Sequence, residues 1–330
     1  MDIRPPNPWA FAPQCNLSPR GQIRRTLGRA AWTAAVAGVL TLWSVQHAAA
    51  QDRRPSHCIA LAQQIDGARY VQLASGVGTP DQQGQTRAHT RAHTRARARD
   101  PLPEEIVRLS YIAHASFLLE TPGGLSAVTD YTGYLGSTDF FPDVATMNRA
   151  HDTHWTAQPD PRIPHVLKGW GLTAEGIEHN LDLDEMLVRN VNTDIRSVFD
   201  ETVDRNGNSI FVFEVAGLCI GHLGHLHHEP DAAQYASLGR LDVVMAAVDG
   251  GTTLALPAMM RVLGRLRSSV VVPMHWHGAG SLDRFLAAVG PTFDIRNDGE
   301  TSVELSLRTL PSRPTVVVLQ PRYLRESRPR

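Results

Sequence analysis

Net charge is almost absent from this chain of 330 residues: it sums to -1, with a pI near 7.0. No global field therefore draws it to nucleic acid or to an acidic surface. A nucleotide-type glycine loop is also lacking. The nearest stretch, Asp249-Gly250-Gly251, reads as a tight turn after a strand. Cysteine is scarce, at three residues, and Cys15 precedes the amino-terminal apolar stretch, so it is not placed for lipid attachment. That stretch, Ala30 to Val45, is short for a membrane span and carries Thr33 and Thr41.

What the amino terminus does contain is the layout of an export leader. Arg20, Arg24, Arg25 and Arg29 precede the apolar stretch, and Ala48-Ala49-Ala50 supplies small residues for cleavage after Ala50. Arg24-Arg25-Thr-Leu also loosely matches a twin-arginine signal. The expectation is a signal peptide over 1–50, a periplasmic or secreted protein, and no stable membrane insertion after cleavage. Removal of the leader leaves Cys58 and Cys219, which read equally as a disulfide or as two buried thiols.

Residues 51–104 form a leading segment and linker. Its repeat, Thr86-Arg-Ala-His89, Thr90-Arg-Ala-His93, Thr94-Arg-Ala-Arg97, has no large apolar position and reads as a solvated basic tether. From Pro103 the texture changes. Strands are expected at Ile106 to Tyr111, Ser116 to Glu120, Leu125 to Thr129, Asp143 to Met147, His165 to Lys168 and Met186 to Val191. Further strands are expected at Ser209 to Val215, Leu218 to Ile220, Asp242 to Val248, Ser269 to Met274, Ser302 to Leu307 and Thr315 to Leu319. Helices are expected at Asp231 to Leu238, Leu256 to Leu266 and Leu282 to Val289, the last capped by Ser281. Hairpins followed by alternating strands and helices imply, over 105–330, two sheets packed face to face with helices outside.

Histidine marks the chemistry. Four imidazoles fall in His222-Leu-Gly-His225-Leu-His227-His228, directly after a strand. His151-x-x-His154 and His275-Trp-His277 also follow strands. Imidazole is the commonest transition-metal ligand, and three such groups at strand ends suggest one metal site assembled from distant segments. His165 and His179 have no matching partners and are assigned nothing.

Ile106 to Leu319 resembles the metallo-β-lactamase-fold hydrolase superfamily, and within it the branch with sugar-lactone-phosphate hydrolases and related Zn-dependent hydrolases. Tyr111-Ile-Ala-His114-Ala-Ser-Phe117-Leu-Leu-Glu120 is similar to the family's Gly-His-Ala/Ser-Ser/Thr-Phe turn between two strands. Asp130 sits where the family's next strand ends in Asp. The run from Leu218 to His228 resembles His-Leu-Gly-Asp-Leu-Gly-His, and Pro273-Met274-His275 matches Pro-Met-His. The resemblance implies a four-layered αβ/βα metallo-β-lactamase-like sandwich and a metal-dependent hydrolase. His151, His154, His225, His228 and His275 become the expected ligands. His222 reads either as a ligand or as a ring that orients a neighbour.

The departures carry information. Where the family has His-x-His-x-Asp-His, this chain has Arg149-Ala-His151-Asp152-Thr153-His154, and His225 replaces a metal-bridging Asp. Arginine offers only donors and cannot ligate. The site thus exchanges carboxylates for imidazoles, which should activate bound water strongly but hold two adjacent cations less well. One or two zinc ions are expected, and ligand type alone leaves manganese, iron and nickel open. Asp152 is the expected proton acceptor, unless it ligates, and Arg149 reads as a clamp for a substrate carboxylate or phosphate or as a surface ion pair. Asp194 lies where the family often places another site residue. His114 reads as structural, and Trp170 as a packed aromatic. The expected substrate is a small ester, lactone, amide or phosphoester, with no nucleic acid bound. The alternative is a non-catalytic periplasmic protein that binds a metal or ligand on the same fold.

Overall fold

The computed structural model describes residues 54–59, 102–149, 151–171, 175–196 and 203–325. The leader, the His89 and His93 repeat and most of the linker lie outside them. No helix among the described residues is long and apolar enough to cross a membrane.

The strands in chain order are β1 Val107–Ala113, β2 Ser116–Glu120, β3 Ser126–Val128, β4 Gly136–Ser137, β5 Val144–Met147, β6 His165–Lys168, β7 Asn180–Asp182 and β8 Met186–Arg196. They continue with β9 Val203–Val215, β10 Leu218–His222, β11 Val243–Ala247, β12 Val270–Met274, β13 Asp294–Arg296, β14 Ser302–Leu305, β15 Thr315–Val317 and β16 Leu324–Arg325. Among the described residues, the helices between these strands are α1 Ala232–Leu238, α2 Leu256–Leu266 and α3 Ala279–Val289. One sheet runs β14-β1-β2-β3-β5-β6, and the other β13-β15-β12-β11-β10-β9-β8-β7. A short β16-β4 pair stands apart.

Alternation along the strands explains the layering, because successive side chains point to opposite faces. Leu109, Tyr111, Phe117 and Leu119 of the first sheet pack against Phe211, Phe213, Ile220, Met245 and Val272 of the second. The intervening positions Val212, Cys219, Val244 and Val271 turn outward and meet Leu238, Met259, Leu263, Phe285 and Val289 of the helices. Each large apolar side chain buried this way is worth about 1.5–3 kcal/mol relative to exposure.

The helices of the expected sandwich are present on the second sheet. On the outer face of the first, Ile112, Leu118 and Met147 are covered by Tyr131, Leu135, Ile163, Trp155 and Trp170, which belong to connecting segments. Among the described residues that layer is made of aromatic loops. Helix α3 begins at Ala279 after Gly278, so Ser281 lies inside the helix and not at its cap. Helix α1 has a reciprocal cap: Gln234 N–H donates to Asp231 Oδ1 at 2.8 Å, and Asp231 N–H to Gln234 Oε1 at 2.8 Å.

Cys58 and Cys219 form a disulfide. Beside it, Ser56 Oγ and His57 N–H donate to Glu214 at 2.5 and 3.0 Å, and Arg189 Nε donates to the same carboxylate at 2.7 Å. Burial pushes Glu214 up, but the bonds from Arg189 and Ser56 outweigh it and hold the carboxyl below its ordinary value. The segment 54–59 is thereby stapled to the outer face of β10.

Candidate metal centre

The loops that follow β1, β3 and β5 in the first sheet meet those that follow β10, β11 and β12 in the second. They deliver His114, Asp130 and His154 from one side and His225, Asp249 and His275 from the other. A backbone bond closes the seam, with His275 N–H donating to His114 O at 2.9 Å. His114, Asp130 and His275 have φ of 47°, 42° and 61°, left-handed values that side-chain-bearing residues seldom adopt. Such strain marks sites where surrounding structure holds the backbone in place.

Two imidazoles are backed by carboxylates. His154 Nδ1 lies 2.5 Å from Asp130 Oδ2, and His275 Nδ1 lies 2.9 Å from Asp249 Oδ2. With the carboxylates as acceptors, His154 and His275 keep their hydrogens on Nδ1 and present Nε2 atoms to each other, although the Asp249 approach to His275 is an ion-pair distance outside hydrogen-bond geometry. Those bare nitrogens stand 3.2 Å apart. Burial raises the Asp130 carboxyl to about 7, against the lowering effect of His222 and the Asn148 N–H. Burial also pushes Asp249 up, but bonds from His275, from Thr253 and from the Gly251 N–H outweigh it and hold it low. Burial, with His275 nearby, holds His154 well below the ordinary imidazole value.

The histidine run after β10 divides by role. His222 uses both ring nitrogens: Nε2 bonds Ala115 O at 2.8 Å, while Nδ1 meets Asn148 Nδ2 at 3.1 Å and Gly224 N at 3.2 Å. It is a buried cross-brace with no nitrogen left for an ion. Gly224, at φ 61°, makes the turn possible, since a Cβ there would stand 2.2 Å from Asn148 Nδ2. His225 projects into the cluster, its ring 4.8 Å from His154 and 5.2 Å from His275 between centroids. Its Nδ1 lies 2.7 Å from His227 Nε2.

The structure places the other residues singled out in the sequence as follows. The exposed His151 ring lies 5.6 Å from that of His225 and 5.9 Å from that of His154, and its Nδ1 is 3.1 Å from Thr153 Oγ1. Asp152 is exposed and makes no polar contact with the described residues. Half-buried Arg149 has a buried terminal nitrogen without a hydrogen-bond partner among the described residues. His228 is half-buried and makes no ring contact with the cluster; His227 takes the place beside His225. Asp194 accepts from Asn206 N–H at 2.9 Å within the β8–β9 ribbon. Trp170 packs edge-on against Trp155.

Two residues were missed. Asp249, read as part of a turn, follows β11 and places a carboxylate oxygen 2.9 Å from His275 Nδ1. His114 was read as structural, yet its ring lies 3.9 Å from that of His275 and its Nε2 is buried without a hydrogen-bond partner among the described residues. Burial and neighbouring His275 and His154 lower it to about 3. Donor atoms of His114, His154 and His275 lie within 4.8 Å of one another.

This chemistry fits a metal. The two Nε2 atoms at 3.2 Å share one hydrogen in one tautomer and, with both hydrogens held on Nδ1, turn two lone pairs toward a common cation; the buried Nε2 of His114, with no hydrogen-bond partner among the described residues, lies beside them. Neutral imidazoles with carboxylate-held Nδ1–H are the usual presentation for zinc and its neighbours in the transition series.

Residues 108–275 match the family described as the beta-lactamase superfamily domain. No curated protein matches the chain. Among solved structures, a protein assigned as a Zn-dependent hydrolase of the metallo-beta-lactamase superfamily from Thermotoga maritima is similar at 23% identity. The match covers 64% of this chain and 98% of that one, with a TM-score of 0.46. Igni18, a metallo hydrolase from Ignicoccus hospitalis, is 17% identical over 61% of this chain and 99% of its own, with a TM-score of 0.45. An isothiocyanate hydrolase from Delia radicum gut bacteria is 14% identical over 60% and 99%, with a TM-score of 0.42.

Proposed function

The chain belongs to the metallo-β-lactamase superfamily, and on that premise we propose that it is an exported, metal-dependent hydrolase of a small ester, lactone, amide or phosphoester. The observation that carries this reading is the pair of bare Nε2 atoms of His154 and His275, 3.2 Å apart at the seam between the sheets. Those two residues would hold the ion, with His114 as third donor. When bound, the metal supplies Lewis-acid activation of water and of the group under attack.

The chain's own residues supply the rest. Asp130 and Asp249 keep the hydrogens of His154 and His275 on Nδ1, and so keep the Nε2 atoms available. Arg149 brings a positive charge that lowers the proton affinity of His154, His225 and His227, behind the larger effect of burial. A substrate anion approaching that charge is drawn toward the ligands. Zinc is the proposed ion, because the donor set is imidazole throughout. The Cys58–Cys219 disulfide supports an oxidising compartment, in keeping with the leader.

The test is elemental analysis of protein purified without chelator, followed by hydrolysis assays on ester, lactone, amide and phosphoester panels before and after metal loading. Stoichiometric metal and metal-dependent turnover of one class are expected. Absence of bound metal, with neither stabilisation nor hydrolysis on adding it, overturns the enzyme reading in favour of a non-catalytic binding protein.

A further inference from the structure

The replacement of a carboxylate by His225 has a second consequence, set by what stands behind the ring. Arg196 N–H lies 3.0 Å from His227 Nδ1. A backbone amide can only donate, so that Nδ1 is bare and a neutral His227 carries its hydrogen on Nε2. Its Nε2 meets His225 Nδ1 at 2.7 Å, which makes His225 Nδ1 the acceptor. The hydrogen of His225 is then on Nε2, the nitrogen left for the cluster.

The position is well fixed. His225 N–H donates to Asn208 Oδ1 at 2.9 Å, and Asn208 Nδ2 donates to Thr193 Oγ1 at 2.7 Å. The donor trio that is close enough to share one ion is His114, His154 and His275, without His225. Ligation through His225 Nε2 would require that ring to lose its only hydrogen or to abandon His227. Arg149, with its buried unpartnered nitrogen, bears on the same rings.

We propose that His225 serves the site as a hydrogen-bond donor to substrate and not as a metal ligand, and that with Arg149 it forms a corner selecting substrates with an anionic oxygen, carboxylate or phosphoryl, near the bond to be cleaved. This rests on the hydrolase reading for its substrate but not for its tautomer. The hydrogen on His225 Nε2 stands where the family pattern offers a carboxylate, which would repel such an oxygen, and the Arg149 guanidinium adds a positive charge beside it.

Nitrogen-15 NMR of the histidine rings, with and without zinc, decides the tautomer: His225 should show a protonated Nε2 in both states. His225→Gln keeps a donor but no imidazole, and should retain the wild-type metal stoichiometry, whereas His275→Ala should lose it. Arg149→Met should keep the metal but raise KM about tenfold or more for anionic substrates relative to uncharged analogues. A metal-shifted His225 Nε2, or loss of metal in His225→Gln equal to that in His275→Ala, overturns the donor role. Equal KM changes for charged and uncharged substrates overturn the anionic corner. If wild-type protein binds no metal, the hydrolase reading fails, while the ring spectrum of the metal-free protein still judges the tautomer.

Discussion

The two halves of the histidine cluster look alike as residues and differ in what lies behind them. His154 and His275 each lie against a buried carboxylate, Asp130 at 2.5 Å and Asp249 at 2.9 Å from Nδ1, which favours the hydrogen on Nδ1 and an inward-facing Nε2 lone pair. His225 leans on His227, which leans on a backbone amide, and the sense of the chain is reversed. The same side chain is presented as an acceptor in one half and as a donor in the other. A histidine's role at such a site is therefore set by its outer partner, and counting imidazoles overstates the ligand number.

The comparison is broken most severely by His275→Ala, which removes one of the facing nitrogens. Loss of stoichiometric metal and of metal-dependent hydrolysis is expected, read by elemental analysis and assay. The next largest effect is expected from Gly224→Ala. A Cβ in a left-handed turn, 2.2 Å from Asn148 Nδ2, displaces the brace that positions the His225 half. A stability loss on the order of 2 kcal/mol is expected by denaturant titration. Asp249→Asn sharpens the contrast, since an amide can donate to His275 and reverse its tautomer. Metal affinity should fall about 10–100-fold with the fold intact, as measured by competition with a chelator; unchanged affinity would remove the carboxylate from the argument.

Acid titration of the metal-free protein gives the smallest and broadest effect. His114 falls from 6.5 to about 3 and His227 from 6.5 to about 4, with burial the main cause. The unfolded chain takes up those protons first, so their contribution is whole above pH 6.5 and is lost as pH falls through the folded values. Asp130 runs the opposite way: raised from 3.8 to about 7, it contributes most below 3.8 and loses that contribution as pH climbs toward 7. His154, His222 and His225 are also lowered, so the imidazoles outnumber the two raised carboxylates, Asp130 and Asp242. The melting temperature should drop between about pH 6.5 and 4. A rise over that interval would contradict the burial of these rings.

Much of the frame was legible because it rests on alternation. The bounds expected for β2, β6 and α2 coincide with those observed, and the inward positions of β9 to β12 follow the period of two. Short strands such as β4, β7, β13 and β16 escaped, since two or three residues held by backbone pairing leave no periodic trace. In the site, the strand-end placement of His154, His225 and His275 was visible in sequence. The partner of His225 was not: His227 and His228 are adjacent, and only the turn after Gly224 decides which ring comes back. Asp249 was hidden for a related reason, since an aspartate just after a strand and before two glycines has the signature of an ordinary turn.

The ligand trio also straddles the sandwich. His114 and His154 come from the first sheet, and His275 comes from the second, where its backbone already reaches across to His114. An ion held there acts as a rivet between two halves that already meet through the apolar core and a few hydrogen bonds such as His275 N–H to His114 O. Binding to the closed form alone raises apparent stability by about 1.4 kcal/mol for each tenfold excess of free metal over its dissociation constant. The melting temperature of this protein should thus climb with the logarithm of metal concentration, so that thermal resistance reports how much metal its surroundings supply.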